Sequence, residues 1–180
     1  MKRALFLDRD GVINIDKGYV FKKEDIRFYD GIFELVKEAN KKNYLVIVVT
    51  NQAGIGRGFY TEKDFLSLSE WMKEQFNKKN SNIDYIYYSP FHPVYGIGKY
   101  KLDSELRKPK PGMFFKAKQD YNLDLKNSIM VGDNESDLIA AHSAGIETII
   151  SFGNTFNAYD SFYVKHLSEV KKYLAIYQEM

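Results

Sequence analysis

Short apolar segments alternate along the chain with segments that carry one apolar face. Continuous runs rich in β-branched residues are typical of strands buried on both sides, and apolar residues spaced i, i+3, i+4 and i+7 are typical of a helix. Strands are predicted at residues 4–7, 44–49, 83–88, 128–131 and 148–150. Helices are predicted at residues 32–39, 61–76, 111–121 and 135–144, and from Ser168 onward, where Val170, Leu174 and Tyr177 would pack.

This alternation predicts an α/β fold with a doubly wound, mostly parallel sheet. A chain of 180 residues corresponds to one domain spanning residues 1–180. Ligands of such sheets bind beyond the carboxyl ends of the strands. Residues that directly follow a strand are therefore the first candidates for a functional site.

Composition excludes several classes of function. Lysine and arginine number 26 against 24 acidic residues, a balance that does not indicate a nucleic-acid or anionic-membrane partner. The chain has no cysteine, which excludes disulfides, a thiol nucleophile and thiolate-bound metals. The longest apolar run, residues 45–49, is too short to span a bilayer, and the first residues do not resemble a secretory signal. We expect a cytoplasmic protein that is a monomer.

Two carboxylates follow the first predicted strand. Asp8 and Asp10 are two residues apart, so in an extended segment both side chains project the same way, whereas Arg9 is predicted to point elsewhere. Paired carboxylates repel unless a cation lies between them, and Mg²⁺ prefers such oxygen ligands. Taken alone, this segment is more simply interpreted as a solvated turn that departs at Gly11.

Phosphate-binding and acidic residues follow the other strands. In chain order these are Thr50, Asn51 and Gln52, then Arg107 and Lys108, then Asp133, with Asp137 one helical turn later. Each group alone has a structural explanation as a strand–helix turn, a solvated basic face or a helix cap. Together they supply carboxylates, a hydroxyl, amides and a lysine at successive strand ends. That combination favours metal-assisted phosphoryl transfer.

Longer motifs carry a family resemblance. The segments LDRDGVIN at 7–14, VTNQ at 49–52, RKPKPGM at 107–113 and VGD at 131–133 resemble the four motifs of the haloacid-dehalogenase (HAD) superfamily. Within it they are similar to the family of heptose bisphosphate and histidinol phosphatases. The resemblance covers residues 3–150, and segments 16–20 and 56–58 extend it. It implies a HAD-like Rossmannoid sheet, and the chain has no room for an inserted cap domain, so loops form the only cap.

The resemblance implies a Mg²⁺-dependent phosphatase. Its substrate would be a small sugar bisphosphate of surface-polysaccharide precursor synthesis, a heptose 1,7-bisphosphate that loses the phosphate at position 7. Asp8 would be the nucleophile and Asp10 the general acid and base. Thr50 and Lys108 would hold the phosphoryl group. Asp8, the backbone carbonyl of Asp10 and Asp133 would ligate Mg²⁺.

The resemblance also implies a set of substrate contacts. These are Asp16, Lys17, Gly18, Tyr19, Thr50, Asn51, Gln52, Ala53, Arg57, Arg107, Lys108 and Asn134. Arg107, Arg57 and Lys17 are the candidates for a second phosphate, because paired basic groups offset a doubly phosphorylated ligand.

One segment departs from the family pattern. Many relatives hold a structural zinc ion with cysteines and a histidine around the loop at residues 90–106. This chain has Ser89, Phe91, Ser104 and Leu106 at the corresponding positions, and only His92 is kept. These residues cannot hold zinc, so no structural zinc is expected. We expect Phe91, Tyr95 and Tyr100 to order the loop instead.

Three alternatives stay open. Histidinol phosphate is a second possible substrate that the motifs do not exclude. A DNA 3′-phosphatase would also fit an open site, although the near-neutral charge counts against it. A receiver-like phospho-switch without enzymatic activity would need its phosphate-accepting aspartate after the third strand, where the sequence reads Tyr87, Tyr88 and Ser89.

Overall fold

The computed structural model describes residues 1–156 and 160–174. The strands are β1 Arg3–Leu7, β2 Tyr44–Asn51, β3 Tyr85–Ser89, β4 Ile129–Gly132, β5 Thr148–Phe152 and β6 Phe162–Val164. The α-helices are α1 Ile32–Lys41, α2 Ala53–Gly56, α3 Glu62–Asn77, α4 Gly112–Tyr121 and α5 Glu135–Ser143, with 3-10 turns at Lys23–Asp25, Gly98–Tyr100 and Leu167–Tyr173. The strands form one parallel sheet in the order β3-β2-β1-β4-β5-β6. This confirms the predicted α/β fold.

Two apolar layers cover the faces of the sheet. Along β1, Leu5 and Leu7 belong to the layer that includes α1 and α3, whereas Ala4 and Phe6 belong to the layer that includes α4 and α5. This alternation follows from the two-residue period of a strand. Because both faces are covered, β1 is buried along most of its length. The backbone of Asp8, which follows β1, is therefore held in place by the sheet.

Side-chain hydrogen bonds fix the start of two helices. Thr61 Oγ1 accepts the N–H of Asp64, and the Asp64 carboxylate accepts the N–H of Thr61, at the start of α3. At the start of α5, the N–H of Asn134 donates to Asp137 Oδ2 at 3.1 Å. The carboxylate of Asp137 is thereby held at the carboxyl end of β4.

The structure corrects several predicted boundaries. The sequence pattern missed β6, because a three-residue edge strand with two exposed aromatic side chains offers too short a pattern to recognise. Strand β3 begins two residues later than predicted, and buried Ile83 lies in the preceding loop. The predicted C-terminal helix is a 3-10 turn in which Val170 is buried, and Leu174, which follows it, is buried too. Tyr177 lies outside the described residues. No helix among the described residues is long and apolar enough to cross a membrane.

Candidate active site

The candidate site lies where β1, β2 and β4 end side by side. The register sets Leu7 opposite Val48 of β2 and Val131 of β4, so Asp8, Thr50 and Asp133 emerge at the same edge. β2 lies on one side of β1 and β4 on the other, so the strand order reverses at β1. Ligands of such sheets usually bind beside this reversal. A cavity of about 400 Å³ opens there.

Lys108 is the buried cation at the floor of the cavity. Its Nζ lies 3.0 Å from Asp8 Oδ1 and 2.6 Å from Asp137 Oδ1, and it donates to the carbonyl of Val49 at 2.8 Å. Burial alone would lower the pKa of Lys108, but the carboxylates of Asp137 and Asp8 outweigh it and raise the pKa. The lysine is therefore held fully charged next to Asp8.

Asn51 holds the backbone that carries this lysine. Its Nδ2 donates to the carbonyl of Lys108, and its Oδ1 accepts the N–H of Lys108, both at 3.0 Å. Asn51 also lines the cavity, as predicted for a substrate contact. Through these two hydrogen bonds Asn51 positions Lys108, a role that the sequence did not indicate.

Three carboxylates converge beside Lys108. One oxygen each of Asp8, Asp133 and Asp137 lies within 4.8 Å of the others. Burial and then the Asp137 charge raise the pKa of Asp8 well above its usual value, and the same two causes raise the pKa of Asp133 to about 6. Lys108 alone thus does not offset the negative charge of the cluster.

This cluster fits a hard divalent cation. All its donors are oxygens, as Mg²⁺ prefers, and Asp133 Oδ1 is buried without a hydrogen-bond partner. Gly11 makes the arrangement possible, because a Cβ there would lie 2.1 Å from Asp133 Oδ2. Asp8 and Asp133, the two side chains predicted as ligands, both belong to this cluster. The sequence singled out Asp137 but assigned it no role.

The side chain of Arg9 contradicts its prediction. It does not point away but turns back, with only 1% of the residue exposed, and its Nε and Nη2 donate to both carboxylate oxygens of Asp10 at 2.8–3.1 Å. Asn14 Nδ2 and Gln52 Nε2 also donate to Asp10, at 2.9 and 3.2 Å. Alternation predicts only where an arginine side chain starts, since its long stem can fold back toward a carboxylate.

Most of the predicted substrate contacts line the cavity. These are Asp16, Gly18, Tyr19, Thr50, Asn51, Gln52, Ala53, Arg107, Lys108 and Asn134. Lys17 is exposed and does not line it. Arg57 does not line it either. Its guanidinium donates to the hydroxyl of Tyr19 and lies 4.8 Å from the ring centre of Phe59 and 5.1 Å from that of Tyr95.

The sequence did not point to Tyr60. Its hydroxyl donates to Gln52 Oε1 at 2.5 Å, and its ring stacks on Phe21 with 5.0 Å between the ring centres. Tyr60 also lines the cavity. No pattern marks this residue, because a tyrosine after a glycine-rich turn looks like an ordinary loop residue. The absence of a Cβ at Gly54, where one would lie 2.3 Å from Tyr60 Cε1, makes room for the ring.

Polar contacts and rings order the loop at residues 90–106. Tyr100 donates to Glu62 Oε1 at 2.8 Å, and its ring lies 6.2 Å from that of Phe91, in line with the predicted role of these aromatics. His92 Nδ1 accepts the N–H groups of Val94 and Tyr95. At two of the positions where the family resemblance implied zinc ligands, Ser104 Oγ accepts the N–H of Leu106 at 3.2 Å. His92 is thus a hydrogen-bonded loop residue, whereas the contribution of Glu62 was missed by the sequence analysis.

The fold and this site define a class of protein. A parallel sheet with Asp8, Thr50 and Lys108 at one cavity beyond its strand ends, and with Asp133 close to Asp8, is the arrangement expected of a HAD-like hydrolase. A family model described as HAD-hydrolase-like matches residues 105–158.

Curated relatives narrow the class. A D-glycero-α-D-manno-heptose-1,7-bisphosphate 7-phosphatase of Burkholderia mallei is 57% identical over 82% of this chain and 78% of its own length. A D-glycero-β-D-manno-heptose-1,7-bisphosphate 7-phosphatase of Vibrio cholerae is 48% identical over 83% of this chain and 80% of its own. The chain belongs to the heptose-1,7-bisphosphate 7-phosphatase family of HAD-like phosphatases.

A solved structure agrees with this assignment. The crystal structure of the D,D-heptose 1,7-bisphosphate phosphatase of B. bronchiseptica, complexed with magnesium and phosphate, superposes with a TM-score of 0.82 at 25% identity. The match covers 97% of this chain and 98% of that one.

Proposed function

We propose that this protein hydrolyses the 7-phosphate of a D-glycero-D-manno-heptose 1,7-bisphosphate with Mg²⁺ as its cofactor. One observation carries the proposal. The carboxylate of Asp8 lies at the floor of a cavity beside a buried lysine, with two further carboxylates close to it. A cavity of about 400 Å³ is of the size that holds a small sugar phosphate.

Asp8 is the proposed nucleophile. Its oxygen forms a bond to the phosphorus, the bond between phosphorus and the C7 oxygen breaks, and an aspartyl phosphate results. The hydroxyl of Thr50 and the ammonium of Lys108 face the same cavity and stabilise the charge that develops on the phosphoryl oxygens. Asn51 acts through Lys108, because it holds the backbone of that residue on both sides.

Asp10 is the proposed general acid and base. In the first step it gives a proton to the departing C7 oxygen. In the second it takes a proton from the water that attacks the phosphorus, and the bond from phosphorus to Asp8 breaks to release inorganic phosphate. Its carboxylate lines the cavity and is fixed by Arg9, Asn14 and Gln52.

The residues proposed to hold Mg²⁺ are Asp8, Asp133 and the backbone carbonyl of Asp10. The unpartnered oxygen of Asp133 and the raised pKa values of Asp8 and Asp133 support this choice. The bound ion would offset the charges of the nucleophile and the phosphate. Asp137 already pairs with Lys108, so its primary contribution is to position that lysine.

The second phosphate is proposed to lie at the rim. Arg107 lines the cavity and is half-buried, with Nη1 donating to the carbonyl of Phe91 at 3.3 Å. Arg57 reaches the same side through the hydroxyl of Tyr19. Lys17 is the weakest of the three candidates, because it is exposed and does not line the cavity.

Phosphate release from a small set of esters tests the proposal. The set comprises both anomers of D-glycero-D-manno-heptose 1,7-bisphosphate, histidinol phosphate and glucose 6-phosphate, each with and without Mg²⁺. We expect turnover of a heptose bisphosphate only with Mg²⁺, and ³¹P NMR should show that the phosphate at position 1 is kept. The two anomers belong in the set because relatives are named for either one.

Asp8→Asn is the matched control, because it keeps the size of the side chain and removes the nucleophile. We expect no measurable turnover and an unchanged circular dichroism spectrum. Substantial turnover by Asp8→Asn would refute the nucleophile assignment. A strong preference for histidinol phosphate would instead refute the substrate assignment and leave the chemistry standing.

A further inference from the structure

A hydrogen-bonded chain starts at Tyr60 and ends at two residues of the proposed chemistry. The hydroxyl of Tyr60 donates to Gln52 Oε1 at 2.5 Å. Gln52 Nε2 donates to Asp10 Oδ2 at 3.2 Å and to Thr50 Oγ1 at 2.8 Å. Gln52 and Tyr60 are both buried, at 2% and 6% exposure, so water does not compete freely for these bonds.

The amide of Gln52 has one orientation that satisfies all three neighbours. In its ionised form the Asp10 carboxylate accepts hydrogen bonds and cannot donate them, so it requires the amide nitrogen on its side. The carbonyl oxygen then faces Tyr60, which must donate. Burial raises the pKa of Tyr60 to about 12, even though the charge of Arg9 lowers it, so the hydroxyl keeps its proton at neutral pH.

The same orientation directs the hydroxyl of Thr50. Because Thr50 Oγ1 accepts a hydrogen from Gln52, its own hydrogen stays available for another acceptor. Thr50 lines the cavity, where that acceptor would be an oxygen of the phosphoryl group. If the amide were rotated, its oxygen would compete for the threonine hydrogen and would face the Asp10 carboxylate.

We propose that Tyr60 is a positioning residue that acts through Gln52, fixing the amide that holds the Asp10 carboxylate and frees the Thr50 hydroxyl for the phosphate. This inference rests on the proposed function, since it assigns Asp10 and Thr50 their roles. The ring of Tyr60 is itself fixed by its stack on Phe21 and by its close approach to Gly54. The chain therefore starts from a rigid residue.

A double-mutant cycle of Tyr60→Phe and Gln52→Met tests the proposal. The assay uses whichever phosphate ester the wild-type protein hydrolyses in the screen above. Tyr60→Phe keeps the stacked ring and removes one hydrogen bond, so we expect kcat to fall about five- to tenfold while KM changes by less than about twofold. In the Gln52→Met background, the same change should alter kcat by less than about twofold, because the amide that Tyr60 orients is gone.

Tyr87→Phe is the matched control. Its hydroxyl also makes one hydrogen bond, to Asp120 Oδ2 at 2.7 Å, but Tyr87 does not line the cavity. We expect its kcat to stay within about twofold of the wild-type value. If Gln52→Met does not fold, Gln52→Leu is a second background, because it also removes both the Nε2 donor and the Oε1 acceptor.

The outcomes separate this inference from the proposed function. If the losses from Tyr60→Phe and Gln52 replacement multiply independently, or if Tyr60→Phe raises KM with kcat unchanged, Tyr60 contacts the substrate directly and the inference is wrong. If the wild-type protein hydrolyses other esters but no heptose bisphosphate, the substrate proposal fails and the cycle is still informative. A wild-type protein that hydrolyses none of the esters would refute both.

Discussion

The floor and the rim of the cavity hold charge in different ways. At the floor, Asp8, Lys108 and Asp137 are buried, and Lys108 pairs with both carboxylates. At the rim, the guanidinium of Arg57 packs against the rings of Phe59 and Tyr95, and Tyr95 is 60% exposed. Buried charges interact strongly and tolerate little change, whereas exposed ones are screened. The floor is thus suited to chemistry, and the rim to recognising a particular substrate.

Two lysines of one short segment illustrate this contrast. Lys108 and Lys110 each lie beside two carboxylates, with nitrogen–oxygen distances of 2.6–3.0 Å for the first and 3.0 Å for the second. The side chain of Lys108 is 2% exposed and that of Lys110 is 33% exposed. They therefore form nearly the same contacts at very different depths.

The largest expected effect is that of Lys108→Met. Removing this cation leaves the carboxylates of Asp8 and Asp137 buried without their partner, which should cost about 3–5 kcal/mol in the free energy of unfolding. Urea denaturation without Mg²⁺ measures it. We also expect kcat to fall by about 10²–10³-fold, as for loss of a donor to the transition state.

Lys110→Met is the control for this prediction. Its partners Asp103 and Glu105 are exposed, so the change should cost less than about 1 kcal/mol and leave kcat within about twofold. Equal costs for the two lysines would mean that depth does not decide how much a charged pair contributes. The contrast drawn above would then be wrong.

The next largest effect is that of removing Mg²⁺. The floor carries three carboxylates close together against one lysine, so a bound divalent cation should stabilise the folded protein. At a concentration 100 times its Kd, Mg²⁺ should add about 2.7 kcal/mol to the free energy of unfolding. Thermal unfolding with EDTA and with added Mg²⁺ measures the difference.

Asp133→Asn should remove most of this Mg²⁺-dependent difference. The same ionic strength supplied as NaCl is the control, because screening alone would act on all surface charges. Stabilisation of Asp133→Asn by Mg²⁺ to the wild-type extent would place the cation elsewhere.

A smaller effect is expected at the rim. Arg107→Ala removes a half-buried guanidinium from the cavity wall and should raise the KM for the heptose bisphosphate about tenfold, with kcat little changed. Steady-state kinetics give the KM for the bisphosphate and for glucose 6-phosphate. The comparison isolates the contribution of the second phosphate, because glucose 6-phosphate carries only one. An equal rise in KM for both esters would show that Arg107 does not hold the second phosphate.

The floor was largely predictable from the sequence, and the networks behind it were not. Asp8 and Asp133 directly follow neighbouring strands, so the position of the strands predicts that they meet, whereas the motif RKPKPGM marks Lys108. Arg9 and Tyr60 carry no such signal, because their contacts depend on how long side chains fold back within loops. Strand β6 was missed for a related reason, since its three residues are specified by pairing with β5 rather than by their own pattern.

The smallest expected effect concerns the loop at residues 90–106. Glu62 of α3 accepts hydrogen bonds from the hydroxyls of Tyr88 and Tyr100, at 3.0 and 2.8 Å, and so ties this loop to a helix and a strand. Glu62→Gln removes the charge and one acceptor oxygen. It should lower the free energy of unfolding by about 1 kcal/mol at most. Tyr100→Phe, which removes one of the two bonds, is the matched variant.

Hydrogen exchange of the loop amides distinguishes a loop ordered by the hydrogen bonds of Glu62 from a loop ordered by a bound metal ion. If Glu62 and the aromatic rings order the loop, exchange at residues 90–106 should speed up in Glu62→Gln, and EDTA should leave the wild-type loop unchanged. Elemental analysis should then find no stoichiometric zinc in the purified protein. Stoichiometric zinc, or a loop that EDTA alone loosens, would contradict the prediction that Ser89, Phe91, Ser104 and Leu106 have replaced a metal site with packing and hydrogen bonds.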